Sequence, residues 1–198
     1  DDHPEEGRRV TETPNPHMIS TDTLTGEMHP IRRTVVALGS NLGDRLANLQ
    51  GAVDALADTP EVWLTDVSPV YETVPVDAPE GSDLYLNAVV LFDTTLSAAR
   101  LMDRALAVED TFDRERSEVK NAPRTLDVDL IVVGDRRSDE DWLRLPHPKA
   151  HERAFVLQPW HDLEPDAEIP ERGPIADLLS KADRHGVTKR DDLVLDLQ

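Results

Sequence analysis

Residues 120–131 read K-N-A-P-R-T-L-D-V-D-L-I, and the second half of this stretch alternates acidic with apolar side chains. Because successive side chains of a β-strand point to opposite faces, the alternation predicts a strand that carries Asp127 and Asp129 on one face. Positions two residues apart on a strand are separated by about 6–7 Å. Carboxylates at that spacing suit two hard cations that share the oxygens of a polyphosphate, and Arg124 adds a fixed positive charge beside them. The stretch therefore predicts a site of phosphoryl transfer.

The segments around this stretch alternate between strand and helix patterns. Asp44 is a plausible N-cap of the first helix, which ends near Asp58, and the second helix runs from Ser97 to about Phe112. Apolar positions in each helix fall at helical spacing. Strands are predicted at residues 34–38, 62–70, 85–92 and 126–133. The order β-α-β-β-α-β matches the ferredoxin-like motif, an α+β fold with helices on one face of a mostly antiparallel sheet.

The two ends of the chain differ from this core. Residues 1–32 are polar and rich in proline, which predicts a flexible tail or linker before a single domain over residues 33–198. After the core, the pattern indicates short helices at residues 150–160 and 175–182 and a late strand at 193–197. The start at Asp1 and the linker-like character of the first segment suggest fusion to, or association with, another enzyme.

Composition excludes several classes of function. The chain has 198 residues and a net charge of -19, from 40 acidic and 21 basic residues, so a nucleic-acid partner or an anionic membrane surface is not expected. There is no cysteine, which excludes disulfides, thiol nucleophiles and cysteine–zinc sites. The sequence lacks an apolar run of about eighteen residues and a signal-peptide pattern, so the expected location is the cytoplasm. An anionic ligand would need basic residues concentrated locally.

Five blocks in one order carry a family resemblance: A-L-G-S-N-L-G-D at 37–44, S-P-V-Y-E-T-V-P-V at 68–76, D-L-Y-L-N-A-V-V at 83–90, the block at 120–131, and L-P-H-P-K-A-H-E-R-A-F-V-L-Q-P at 145–159. With these blocks the chain resembles the 6-hydroxymethyl-7,8-dihydropterin pyrophosphokinases of folate biosynthesis. The resemblance covers about residues 33–170. It implies a Mg²⁺-dependent enzyme that transfers the pyrophosphoryl group of ATP to the pterin hydroxymethyl oxygen and releases AMP.

The resemblance also implies roles for individual residues. Asp127 and Asp129 would be the ligands of two Mg²⁺ ions. Together with Arg114 and Arg116 they would form the catalytic set. ATP would contact Arg114, Arg116, Arg124, Leu130, His147 and Arg153. The pterin would lie between Tyr85 and Phe155 and would contact Thr73, Val76 and Asn87. The segment 39–41 would shape the floor of the pocket. The sequence departs from the family at Asn121, where a tryptophan is common. This difference concerns loop closure and substrate stacking.

Several alternatives remain open from the residues alone. A D-x-D strand can be a solvated edge strand, the R-E-R segment at 114–116 a charged loop, and Tyr85 and Phe155 ordinary core residues. A ferredoxin-like domain can also be a non-catalytic sensor of a small molecule, because fold does not determine function. For the reaction itself, the general base is either an Asp127 oxygen or a metal-bound water. We expect MgATP to bind first and the pterin second, with closure of the segment 113–121 over the transferring group.

Overall fold

The computed structural model of the chain describes residues 29–75, 79–114 and 125–197. The core elements are β1 Arg32–Ser40, α1 Arg45–Ala57, β2 Val62–Val67, β3 Tyr71–Thr73, β4 Tyr85–Thr94, α2 Ala98–Arg114 and β5 Asp127–Val133. The remaining elements are β6 Ser138–Glu140, β7 Leu143–Leu145, a 3₁₀ turn at Ala150–Glu152, α3 Ala154–Leu163, β8 Glu168–Ile169, β9 Gly173–Pro174, α4 Ile175–Lys181 and β10 Val187–Lys189. Residues 1–28, most of the predicted tail, lie outside the described residues.

The main sheet has the strand order β10-β3-β4-β1-β5, and β2 pairs with the second half of β4. Each of these pairings is antiparallel. The central strand β1 separates β4 from β5, so the chain crosses over through α1 and α2 as a ferredoxin-like topology requires. The predicted fold class is therefore confirmed, with four strand regions and two helices close to their predicted positions.

The two faces of the sheet are packed against different helices. On one face, apolar side chains such as Leu38, Val90 and Phe92 form a core with α1 and α2. On the other face, side chains such as Val35 and Val89 pack against α3 and α4. This division follows from the alternation of side chains along each strand. The second face carries the candidate site, at the end of the sheet where β1 finishes and β4 and β5 begin.

The helices begin where their side chains satisfy backbone donors. Asp44 is the N-cap of α1, and its Oδ1 accepts a hydrogen bond from the Ala47 amide at 3.1 Å. The Ser97 hydroxyl accepts in the same way from the Arg100 amide at 3.2 Å, just before α2. These caps supply partners for amides that lack one in the first turn of a helix. The predicted N-cap at Asp44 is confirmed.

Two strand predictions were wrong. The predicted strand 62–70 ends at Val67 because Ser68 and Pro69 interrupt it, and a separate strand, β3, begins only at Tyr71. Ser68 pairs with Val89 through its hydroxyl, which accepts from the Val89 amide at 2.8 Å, and proline has no amide to donate to a sheet. The second error is the late strand at 193–197. That segment packs Leu195 into the core and bonds to the Gln50 side chain, whereas residues 187–189 form the strand beside β3.

No helix among the described residues is both long enough and apolar enough to span a membrane.

Candidate active site

The centre of the site is a row of residues that crosses three strands. Gly39 of β1 lies opposite Asn87 of β4 on one side and opposite Asp127 of β5 on the other. Ala37, two residues earlier on the same face, lies opposite Asp129. Opposed residues in an antiparallel sheet share a face, so the two carboxylates and the amide stand on one surface. At Ala37 and Gly39, the strand β1 places no large side chain between them.

The polar side of this surface is organised around Asn87, which is 7% exposed. The Thr73 hydroxyl donates to Asn87 Oδ1 at 2.6 Å, and Asn87 Nδ2 lies 3.5 Å from the Leu38 carbonyl oxygen. Thr73 lies opposite Tyr85 in the pairing of β3 with β4. Burial, assisted by the negative charge of Asp127, raises the pKa of the Tyr85 hydroxyl. The tyrosine therefore stays protonated and keeps its hydrogen-bond donor at neutral pH.

A basic group stands beside the second carboxylate. The His147 amide donates to the Ile131 carbonyl at 2.8 Å, which joins the residue to the end of β5, and Nδ1 accepts from the Lys149 amide at 3.2 Å. Burial lowers the pKa of the His147 ring, and the charges of Arg153 and Lys149 add to this, while Asp129 opposes it. With Nδ1 acting as an acceptor, the neutral ring carries its proton on Nε2. His147 can then act as a neutral donor toward an anion.

The opposite wall of the site comes from α3. Phe155, in the first turn of this helix, is partly buried against the cluster that α3 forms with the sheet. The guanidinium carbon of Arg153 lies 5.5 Å from the centre of the Phe155 ring, within the range of a cation–π contact. Arginine and aromatic ring are thus held together, and Phe155 packs against the cluster on the face of the sheet that carries Tyr85.

Buried polar contacts hold β5 and its carboxylates in place. Glu109 of α2 is 5% exposed, and its Oε2 accepts from the Val128 amide at 3.0 Å, between the two aspartates. Just before the strand, the Asp113 carboxylate accepts from the Thr125 amide at 3.1 Å, and the Ser40 hydroxyl donates to the Thr125 carbonyl at 2.6 Å. These bonds fix the backbone that carries the acidic pair.

The predicted site residues fall into four groups. The structure brings six to one side of the sheet or to its rim: Thr73, Tyr85, Asn87, Asp127, Asp129 and Phe155. His147 and Arg153 form the second group, and the charges of Arg153 and Asp129 both act on the His147 ring. Val76, Arg116, Arg124 and the side chain of Arg114 lie outside the described residues. Leu130 is 4% exposed and packs on the other face of the sheet, in the core with α1 and α2, so a contact of its side chain with ATP is not available from this position.

Sequence reasoning missed two supporting residues. Tyr71 lies opposite Asn87, on the site face, and its hydroxyl donates to the Asp162 carboxylate of α3. Glu109 was read as part of a helix, and only its burial shows that it serves β5. The signal for Tyr71 was present, because it lies in the motif at 68–76 at even spacing from Thr73. For Glu109 the sequence offers no signal, since a helical glutamate is ordinarily exposed.

The fold and this surface together define a class of protein: an α+β enzyme that acts on a small molecule, with paired strand carboxylates beside an aromatic and amide-lined pocket. Residues 35–165 match the family model described as 7,8-dihydro-6-hydroxymethylpterin-pyrophosphokinase (HPPK). The chain therefore belongs to this pyrophosphokinase family, which confirms the resemblance drawn from the sequence. It is an enzyme of folate biosynthesis that transfers a pyrophosphoryl group to 6-hydroxymethyl-7,8-dihydropterin.

Curated relatives agree with the family model. The 2-amino-4-hydroxy-6-hydroxymethyldihydropteridine pyrophosphokinase of Pseudomonas aeruginosa is 36% identical over 159 residues, which cover 80% of this chain and 97% of that protein. The enzyme of the same name from Mycobacterium leprae is 44% identical over 152 residues, covering 71% of this chain and 76% of the relative.

Solved structures support the fold. A Plasmodium falciparum HPPK-DHPS triple mutant with STZ-DHP superposes with a TM-score of 0.62 at 13% identity. The match covers 81% of this chain but 45% of that one, so this chain spans less than half the length of that solved chain.

Proposed function

We propose that the chain uses ATP as the pyrophosphoryl donor and Mg²⁺ as the metal, with Asp127 and Asp129 as its ligands. The observation that carries this proposal is the pairing of Ala37 and Gly39 with the two aspartates, which sets both carboxylates on the face that holds Asn87 and Tyr85. Metal-bound phosphates and a flat substrate would then meet on one surface.

The donor set fits magnesium. Carboxylate oxygens are hard ligands, and Mg²⁺ in phosphoryl-transfer sites binds through one or two carboxylates and takes its other ligands from phosphate and water. Within the described ranges no cluster of three or more acidic, histidine or cysteine side chains suits a metal ion, so the aspartate pair offers few protein ligands. Bound there, two Mg²⁺ ions would neutralise the developing charge on the transferring group and orient its oxygens.

The basic residues around the pair would position the polyphosphate. His147, held neutral at neutral pH by its burial, would donate through Nε2, and Arg153 would bind phosphate oxygens through two parallel N–H groups. From the family resemblance, Arg114, Arg116 and Arg124 would add further contacts. Such donors act mainly by positioning and electrostatics, because a transferring phosphoryl group needs little covalent chemistry from the protein.

The pterin would lie in the slot between the sheet and the start of α3. Tyr85 and Phe155 would contact its two faces, and Asn87 would read its edge. Because Asn87 Oδ1 is occupied by the Thr73 hydroxyl, the amide presents its Nδ2 donor toward the ligand. Thr73 thus fixes which way the amide points, and Val76 would complete the pocket.

In the proposed reaction the pterin hydroxymethyl oxygen forms a bond to the β-phosphorus of ATP. The bond from that phosphorus to the oxygen that bridges to the α-phosphate breaks, AMP leaves with that oxygen, and the hydroxyl proton passes to a base. An oxygen of Asp127, which lies opposite Gly39, and a metal-bound water are the two candidates for that base. In-line attack requires the two substrates on one surface, which the row across β4, β1 and β5 provides.

Formation of AMP from ATP tests the proposal. AMP should appear only when 6-hydroxymethyl-7,8-dihydropterin and Mg²⁺ are both present, and chelation of the metal should stop it. AMP formation at an equal rate after exhaustive metal removal would contradict the metal assignment. A non-catalytic sensor would bind the pterin without producing AMP. Fusion to, or association with, a second folate enzyme and a cytoplasmic location stay predictions, the first in keeping with the HPPK-DHPS name of the matched Plasmodium structures.

A further inference from the structure

The two walls of the proposed pterin slot belong to different elements, so something must fix the distance between them. One wall is the sheet, with Tyr85 on β4, and the other is Phe155 on α3. A planar ligand between two rings gains its stacking energy only when the rings are held at the right separation. Hydrophobic packing of α3 on the sheet sets an approximate distance but has no strong directional preference.

A polar bond joins these walls at the edge of the slot. The Tyr71 hydroxyl, on the sheet, donates to Asp162 Oδ2, on α3. Tyr71 is 5% exposed, lies opposite Asn87 in the sheet register, and is two residues from Thr73, which orients that amide. Burial and the hydrogen bond to Asp162 raise the pKa of the Tyr71 hydroxyl, so the bond persists across the neutral range.

The helical end of this bond lies on the same stripe as Phe155. Asp162 is seven residues after Phe155, which is two helical turns and about 10 Å along the axis. Residues at that spacing share one side of a helix. Gln158, between them on the same stripe, donates to Asp162 Oδ1 at 3.1 Å and so orients the carboxylate toward Tyr71. The stripe faces the part of the sheet formed by β3 and β4, with which α3 is in contact.

We infer that Tyr71 and Asp162 are positioning residues that set the separation of α3 from the sheet and thereby the fit of the pterin between Phe155 and Tyr85. Neither residue touches the nucleotide side of the site, where Asp129, His147 and Arg153 stand. Their contribution should therefore appear in pterin affinity and not in nucleotide affinity. This inference rests on the proposed placement of the pterin.

The test is the Tyr71→Phe variant, which removes one hydroxyl and keeps the ring. We expect KM and Kd for 6-hydroxymethyl-7,8-dihydropterin to rise about five-fold, because the variant loses the one hydrogen bond between the hydroxyl and the Asp162 carboxylate. KM for ATP and kcat should stay within two-fold. Asp162→Asn keeps an oxygen acceptor and should retain most of the pterin affinity, whereas Asp162→Ala should behave like Tyr71→Phe. The double variant Tyr71→Phe/Asp162→Ala should lose little more than either single variant, because the two residues act through one bond.

A matched control lies on the other face of the sheet. The Gln50 side chain makes two hydrogen bonds to the backbone of Asp196, at 2.9 and 2.8 Å, and Gln50→Leu removes both. That variant should lower the melting temperature without changing pterin affinity. If Tyr71→Phe lowers only the melting temperature, or changes both KM values and kcat together, the positioning role is wrong. If the wild-type chain itself binds no pterin and forms no AMP, the proposed function has failed instead.

Discussion

Gly39→Ala should weaken pterin binding without unfolding the protein. Gly39 lies between Asn87 and Asp127, and a Cβ added there would stand 3.0 Å from Asn87 Nδ2, 3.6 Å from Tyr85 Cδ1 and 4.0 Å from Asp127 Cβ. Contacts of 3.0–3.4 Å are tighter than nearly all real Cβ contacts, so the amide would have to move by a few tenths of an ångström. Asn87 is also held by the Thr73 hydroxyl at 2.6 Å, so it has little freedom to move.

The size of the effect follows from these contacts. Weakening one amide hydrogen bond to the ligand costs about 1 kcal/mol, and a methyl group on the pocket floor adds about 0.5–1 kcal/mol of steric cost. The sum of about 1.5–2 kcal/mol corresponds to a ten- to thirty-fold loss of pterin affinity. Alanine in a strand is favoured over glycine by about 0.5–1 kcal/mol, which offsets the strain, so the melting temperature should change by only a few degrees.

Calorimetric titration of 6-hydroxymethyl-7,8-dihydropterin, with steady-state KM values for both substrates, measures the effect. The KM for ATP should stay within two-fold. In an Asn87→Ala background the same glycine substitution should cost much less, because the group it displaces is gone. An unchanged pterin affinity in Gly39→Ala, with the protein folded, would refute the placement of the ligand over this row.

Three further predictions concern the metal, an arginine expected to contact the phosphate, and the core. Asp129→Ala should reduce AMP formation by at least about a thousand-fold while the pterin still binds, since the metal acts mainly on the transition state; normal turnover at saturating Mg²⁺ would contradict the ligand assignment. Arg116→Ala should lower kcat far more than ATP affinity, and equal losses in single-turnover and binding measurements would place the residue in ground-state binding. Gly51→Ala would put a Cβ 2.3 Å from Phe112 Cζ, and we expect a loss of about 1–3 kcal/mol in the free energy of unfolding, measured by urea denaturation, with kcat retained.

The sequence predicted the elements whose patterns are local. The alternation at Asp127 and Asp129, the cap at Asp44 and the helical periodicity of α1 and α2 depend on residues close in the chain, and the structure has each of these elements where expected. The errors occur where a distant partner decides. Residues 193–197 are mostly apolar, but they bond to a helix side chain instead of a strand. Residues 187–189 have a weak pattern, but they pair with β3 at the edge of the sheet.

The residues of the site could be predicted from the sequence where they belong to a recognisable motif. What the sequence could not provide is the register between strands, which sets Gly39 between Asn87 and Asp127 and leaves space for a ligand. It also could not show that Glu109 is buried and supports the site from α2. That role follows from a contact with Val128 across more than ten residues, and no local pattern encodes it.

The pattern of β5 also explains how the two aspartates are held at this edge of the sheet. Side chains from Leu126 onward alternate between the core and the site. Leu126, Val128 and Leu130 are buried, whereas Asp127 and Asp129 face the pocket. One buried carboxylate, that of Glu109, is used to hold the Val128 amide, so the backbone between the aspartates has its partner inside the protein. The backbone that carries the pair is then held in place, and a fixed spacing of its ligands is what a metal with strict geometry requires. A substitution such as Glu109→Gln, which keeps an acceptor, should preserve activity, whereas Glu109→Leu should leave the Val128 amide unpaired and lower Mg²⁺ affinity together with stability.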